Sequence, residues 1–226
     1  MDDVIRVQDQ FYILATASRT VQPTAVLKHD DTFAVFDYSG DIGAFGAGEQ
    51  GLYHEGTRYL SVLRLRLNGQ RPLLLSARVK DENELFSVDL TNPDIPLAEG
   101  DLQIARDLVH LFRARFLWKG TWYERLRLWN YSRTPVRVSL TFEFDADFAD
   151  IFEVRGTVRQ KRGELMAPIV DGTTTRLGYR GLDAERRWTV IEWNQLPSAA
   201  TGNLARFDYE LMACWPFQSH RQAILS

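Results

Sequence analysis

VRVSLTFEFD, residues 136–145, alternates without a break. Val136, Val138, Leu140, Phe142 and Phe144 fall on one parity, and Arg137, Ser139, Thr141, Glu143 and Asp145 on the other. Successive side chains of an extended chain point to opposite faces, so this is a strand with one apolar and one polar face. The pattern continues in both directions. Upstream, LSVLRLRL (60–67) meets Asn68-Gly69 and then PLLLSARV (72–79). Asn-Gly between two such runs predicts a tight hairpin, because both residues accept positive φ. ELFSVDLT (84–91), DLVHLFRARFLW (107–118) and WYERLRLWN (122–130) come next. In 107–118 the apolar face is read as His110, Phe112, Ala114, Phe116 and Trp118, with His110 a hydrogen-bonded core residue. Residues 131–135, Tyr-Ser-Arg-Thr-Pro, read as a five-residue hairpin loop. Downstream lie TRLGYRGL (175–182), a turn at Asp183-Ala184, RRWTVIEW (186–193) and FDYELMACW (207–215). No window follows a helical period. About a dozen strands with half-buried faces must pack sheet on sheet. The expected fold is all-β, a large antiparallel β-sandwich forming a single domain over 1–226, with loose segments at 19–23, 163–175 and 197–203.

The chain has 226 residues, 45% of them apolar, enough for a sizeable core. A net charge of −3 and a pI near 5.8 give no electrostatic reason to expect nucleic acid or an anionic membrane as partner. Of 27 basic residues only Lys28, Lys80, Lys119 and Lys161 are lysines. The arginines offer planar forks for carboxylates and flat faces for aromatic rings. Cys214 is the single cysteine, so neither an internal disulfide nor a cysteine-based metal cluster is expected. MDDVIRVQDQ at the start lacks the basic-then-apolar order of a signal peptide, and no apolar run approaches the roughly 20 residues of a membrane span. A soluble, cytoplasmic protein is expected.

Gly46-Ala47-Gly48-Glu49-Gln50-Gly51 fits G-x-G-x-x-G, yet the next residues, LYHEGTRYLSVLRLRLNG (52–69), read as strand and hairpin rather than helix, and position 71 is Arg where an acid belongs. A glycine-rich loop is the better reading. In FEFDADFADIFEVRG (142–156), Asp145-x-Asp147 opens like a calcium loop, but Ala149, Asp150 and Gly156 stand where a ligand, the turn glycine and the closing Glu belong. On an extended strand Asp145 and Asp147 would lie about 6–7 Å apart. That distance suits carboxylates flanking a glycosidic bond. Two acids on one strand more often form a solvated face or partner arginines. Here Asp145, Asp147 and Asp150 are expected to end the strand, cap the turn and pair with Arg such as Arg155. His29, His54, His110 and His220 are scattered, and no metal site or Ser/His/Asp set is visible. Around 118–131, Trp118, Trp122, Tyr123, Trp129 and Tyr131 interleave with Arg113, Arg115, Arg125 and Arg127. Such a set suits stacking on sugar rings, docking to another domain, or core packing.

FAVFDYSGDI (33–42), GLYHEGTRYLSVLRLRLNGQRPLLLS (51–76), VDLTNPDI (88–95), WYERLRLWN (122–130) and FEFDADFADIFEVRG (142–156), in this order, resemble the N-terminal domain of bacterial glycogen-debranching enzymes of the amylo-α-1,6-glucosidase type. The resemblance implies a β-sandwich preceding an (α/α)6 toroid that carries the catalytic carboxylates. The chain reaches Ser226 without long amphipathic helices, so the acids of 145–153 do not inherit that role and no catalytic residue is assigned. The implied function is a non-catalytic accessory domain of a glycoside hydrolase, with an (α/α)6 catalytic domain as partner in cis or in trans and α-glucan as a second, optional partner. The alternatives are a stand-alone carbohydrate-binding module with Trp122 and Trp129 as its platform and, behind it, a free-standing glycosidase. Candidate carbohydrate or interface residues are Trp122, Tyr123, Trp129, Arg125, Arg127, His54 and Arg58. The Arg58 side chain is also expected to hold the His54–Arg58 turn by an ion pair. No cofactor and no metal are expected.

Overall fold

The computed structural model describes residues 4–7, 10–13, 24–43, 48–96 and 102–213. The expected loose segment 19–23 lies outside them. β1 (Val4–Val7) and β2 (Gln10–Ile13) form a short pair, and β3 (Thr24–His29), β4 (Thr32–Asp37), β5 (Gly51–His54) and β6 (Thr57–Leu60) form a meander. β7 (Val62–Leu67), β8 (Leu73–Val79) and β9 (Leu85–Thr91) lead to a second short pair, β10 (Ile95–Pro96) and β11 (Leu102–Ile104). The long strands β12 (Val109–Trp118), β13 (Thr121–Asn130) and β14 (Val136–Asp145) come next, then one helical turn, α1 (Ile151–Val154). β15 (Glu164–Asp171), β16 (Thr174–Arg180), β17 (Arg186–Glu192), β18 (Ala199–Thr201) and β19 (Leu204–Leu211) complete the described chain. Twelve strands run six residues or more, and seven are shorter.

Every strand pairing is antiparallel. The first sheet is the meander β3-β4-β5-β6, the second has the order β13-β12-β9-β8, the third β18-β19-β14-β7 and the fourth β15-β16-β17. Inward residues of these sheets form one apolar cluster. Phe36 on β4 meets Phe86 on β9 edge-on at 4.8 Å, which packs the first sheet on the second. Phe142 and Phe207 of the third sheet close on Trp193, just past β17, at 5.1 and 5.2 Å. β14 buries Val138, Leu140, Phe142 and Phe144, the parity its alternation predicts.

Two connections expected as hairpins join different sheets instead. At the first, Asn68 (φ 48°) and Gly69 (φ 77°) do make the tight turn, and Leu67 and Gln70 exchange backbone hydrogen bonds of 2.8 and 2.9 Å. The ladder then stops, and β7 pairs with β14 while β8 pairs with β9. Pro72 has no N–H to give a ladder. Arg71 reaches across to Asp37 (2.5 Å) and Asp41 (3.7 Å), while Asn68 is tied to Ser139 of β14 by bonds of 2.6 and 2.8 Å. At the second, residues 131–135 cross from β13 in the second sheet to β14 in the third. Buried Asn130 fastens the crossing: its Nδ2 donates to the Thr134 and Leu211 carbonyls, both at 2.9 Å, and its Oδ1 accepts from Ser132 N. Segments 163–175 and 197–203, expected loose, hold β15 and β18. β15 is exposed along most of its length and bulged between Met166 and Ile169, so it carries no alternation to read.

β12 reverses its expected face. Val109, Leu111, Arg113, Arg115 and Leu117 are buried, while His110, Phe112, Ala114, Phe116 and Trp118 form the outer face. His110 is therefore a half-buried outer residue, paired with Asp89 at 3.0 Å, and not a core one. The inner arginines are fully buried. Arg113 donates to Glu124 (2.8 Å), Asp41 (2.9 Å) and the Ser39 carbonyl (2.9 Å). Arg115 donates to both Glu124 oxygens at 3.0 and 3.1 Å and to the Gly40 carbonyl. Its guanidinium lies 4.9 Å from the Trp122 ring and 5.4 Å from Phe36. A side chain at Gly40 (φ 80°) would run into that guanidinium at 2.5 Å. Burial alone pulls Arg113 down, but the Glu124 and Asp41 charges outweigh it and hold Arg113 above the ordinary arginine value. Burial pushes the Asp41 carboxyl up against the opposing pull of Arg113.

Glu124→Ala would leave two buried guanidiniums without their shared carboxylate. The expected loss is about 3–5 kcal/mol of unfolding free energy in urea titration. Glu124→Gln, which keeps one acceptor oxygen, is expected to lose less than Glu124→Ala.

Candidate functional site

Three edge strands surround a cleft of about 710 Å3: β6 of the first sheet, β13 of the second and β17 of the fourth. Two tight turns shape one wall. Glu55 (φ 48°) and Gly56 (φ 77°) reverse the chain between β5 and β6, and Lys119 (φ 47°) and Gly120 (φ 73°) reverse it between β12 and β13. The second turn sits against His54, whose Nδ1 is 2.8 Å from the Thr32 hydroxyl oxygen. The far wall is the edge of β17 with Trp193 just past its end, together the consecutive residues 188–193. Trp188 takes its place there because position 178 on the neighbouring strand is glycine. A Cβ on Gly178 would meet the six-membered part of the Trp188 ring at 2.5–2.9 Å. Trp122, Tyr59 and Tyr123 add further aromatic lining. The polar lining is His54, Thr32, Thr121, Thr189, Glu124 and Glu192, with no lysine or arginine among the lining residues. Glu124 is engaged by buried arginines. Glu192 is exposed and carries no ion pair or side-chain hydrogen bond among the described residues.

The acids of 145–153 are structural in their contacts. Asp147 lies past the end of β14, so it does not share a strand face with Asp145. It takes a two-pronged grip from Arg58, whose Nε donates to Oδ1 at 3.0 Å and whose Nη2 donates to Oδ2. The same Oδ1 accepts from Ala149 N at 3.2 Å. Burial lowers Arg58, but the bonds and charge of Asp147 outweigh it and leave Arg58 above the ordinary arginine value. Arg58 also donates to the Gly48 and Gln50 carbonyls, so one side chain ties the 48–50 segment, β6 and the chain after β14 together. Asp150 caps α1 by accepting from Phe152 N at 2.8 Å, while Glu153 accepts from Asp150 N at 2.9 Å. Asp145 is exposed and accepts from Ala146 N. The arginines here are Arg58, Arg159 and Arg162 rather than Arg155. No group of three or more possible metal ligands occurs among the described residues. Gly46 and Ala47 of the glycine run lie outside the described residues, and Gly51 opens β5, with β6 directly after it.

The remaining candidates occupy the outer face of the second sheet. Tyr123, Arg125, Arg127 and Trp129 share one face of β13, opposite Phe116, Ala114, Phe112 and His110 of β12. Phe116 and Tyr123 stack at 4.8 Å, and His110 leans on Trp129 at 5.1 Å and on Tyr131 at 6.3 Å. Trp122 is on the opposite face. Seven residues separate Trp122 from Trp129, an odd number, so one strand cannot turn both to one platform. The cleft thus gathers His54, Trp122 and Tyr123, the outer face holds Trp129, Arg125 and Arg127, and Arg58 belongs to the clamp. Reading the sequence missed Trp188, Trp193 and Glu192. The only signal for them was RRWTVIEW itself, whose spacing to the other cleft residues is set by sheet packing.

The family described as the N-terminal domain of (some) glycogen debranching enzymes matches residues 27–215 of the chain. No curated protein matches it.

Removing Arg58 or Asp147 disconnects segments about 90 residues apart. A double-mutant cycle with Arg58→Ala and Asp147→Ala is expected to give a coupling of about 1–3 kcal/mol in denaturant unfolding.

Proposed function

The chain belongs to the family of N-terminal domains found in some glycogen debranching enzymes, and on that premise we propose that it is a non-catalytic accessory domain that braces a glycosidase catalytic domain of the (α/α)6 kind. The observation that carries this reading is the outer face of the second sheet. It is broad and mixes aromatic with cationic side chains: Phe116, Tyr123 and Trp129 beside Arg125 and Arg127. Trp, Tyr and Arg are the residues enriched where one protein surface buries another. Phe116 and Trp118 are 44% and 52% exposed, the kind of neighbouring apolar exposure that marks an interaction surface. Arg127, at an outward position of β13, suits a partner surface with acidic groups.

The Asp147 contacts support the non-catalytic half of the reading. Both carboxylate oxygens are committed to Arg58, and Asp145 is turned to solvent. Neither is arranged as an acid facing a base across a bond to be cut. Glucan contact, in this reading, belongs to the cleft and not to the outer face.

The purified chain is expected to release no glucose from a limit dextrin. Glucose release that Asp147→Asn abolishes would overturn the proposal. Arg127→Glu combined with Phe116→Ser is expected to weaken its complex with an (α/α)6 glycosidase domain at least about tenfold by calorimetry.

A further inference from the structure

We propose that the cleft between β6, β13 and β17 is a binding site for one or two rings of an uncharged sugar, such as the end of an α-glucan chain. The inference rests on the reading of the chain as a non-catalytic accessory domain of a carbohydrate-acting enzyme, and it does not need the docking face. Four observations carry it. The cleft offers about 710 Å3, within the usual size range of small-ligand sites. Its walls are aromatic, and the Trp188 ring is held in place by the missing side chain at Gly178. A ring immobilised before the ligand arrives loses little entropy on binding. Its polar groups are threonine hydroxyls, the His54 imidazole and the Glu192 carboxylate, with Glu124 held by buried arginines, Thr189 already donating to the Tyr59 carbonyl, and no lysine or arginine among the lining residues. That set matches hydroxyl groups as donors and acceptors, and it offers a phosphorylated or carboxylated ligand no lining cation and the unpaired carboxylate of Glu192. Lastly, Glu192 stands at the rim with no ion pair or side-chain hydrogen bond among the described residues, whereas the other lining acid, Glu124, is engaged by buried arginines. An ionised carboxylate accepting from a hydroxyl makes one of the stronger hydrogen bonds available to a neutral ligand.

The test is calorimetric titration of the whole chain with maltotriose, up to about 10 mM. One-site binding in the millimolar range is expected, weakened about tenfold by Glu192→Gln and by Trp188→Ala. Gly178→Ala, which touches no cleft surface, is expected to weaken binding by displacing the Trp188 ring. Should it or Trp188→Ala fail to fold, Glu192→Gln still decides, because Glu192 is exposed and holds nothing together. No heat from maltotriose would overturn the proposal, as would binding unchanged by Glu192→Gln. Glucose 6-phosphate binding tighter than glucose would overturn the chemistry assigned to the cleft. Loss of the catalytic-domain complex through Arg127→Glu leaves these outcomes untouched, so the two readings fail separately.

Discussion

Two guanidiniums inside a β-fold require an arrangement the rest of the chain must respect. Arg113 and Arg115 leave water entirely, and the desolvation of each is large unless charge and hydrogen bonds replace what water supplied. Glu124 serves both from the paired strand, and Asp41 comes from the loop after β4 in another sheet. Arg71 joins from the inter-sheet crossing, through Asp37. Geometry is therefore constrained at several distant points at once: the register of β12 on β13, the tight loop at Ser39–Gly40 and the exit of β7. A sheet packed only by leucines tolerates sliding and repacking. One whose facing layers share a hydrogen-bonded ion cluster tolerates much less, since a small shift leaves a buried charge unpaired.

That cluster also explains where alternation misleads. Period two was legible along nearly every long strand, and β14 buries the parity it shows. β12 shows the same period with the opposite sense, because its two arginines occupy inward positions while Phe112, Phe116 and Trp118 face out. Counting apolar residues places the core on the wrong side. Only the presence of Glu124 at a matching inward position on the next strand, and of Asp41 far upstream, makes the arginines acceptable inside. The hairpin turns differ in kind. Asn68-Gly69 takes the conformation its side chains favour, since turn geometry is local. Whether the strands then pair depends on Pro72, on Arg71 and on which sheet needs an edge filled, and those are matters of the whole fold.

The clamp was partly legible. An Arg58 ion pair was expected, but Asp147 is 89 positions away, and nothing in spacing could select it over other acids. The cleft was less legible still. Its walls come from three strand edges in three sheets, and edges have no sequence period of their own. A strand face announces itself by alternation, whereas an edge exposes consecutive residues of both parities. The run 188–193 lining one wall is such an edge, which is why its two tryptophans and its free carboxylate read in sequence as ordinary strand.

β13 shows how the two kinds of surface coexist in one segment. Its outward parity gives Tyr123, Arg125, Arg127 and Trp129 to a broad face. Its inward parity gives Trp122 and Glu124 to the ion cluster, and its free edge near the Lys119-Gly120 turn borders the cleft. A protein partner needs an extended, nearly flat area, and a sugar ring needs a narrow concave one. Along most of β13 the pleat separates them by direction, while Tyr123, near the start of the strand, has the outward parity and also lines the cleft. Aromatic residues that look like one cluster in sequence are thus divided by the strand, Trp122 toward the cleft and Trp129 toward the outer face. The proposed cleft and the proposed docking face therefore share β13 and the buried arginines beneath it.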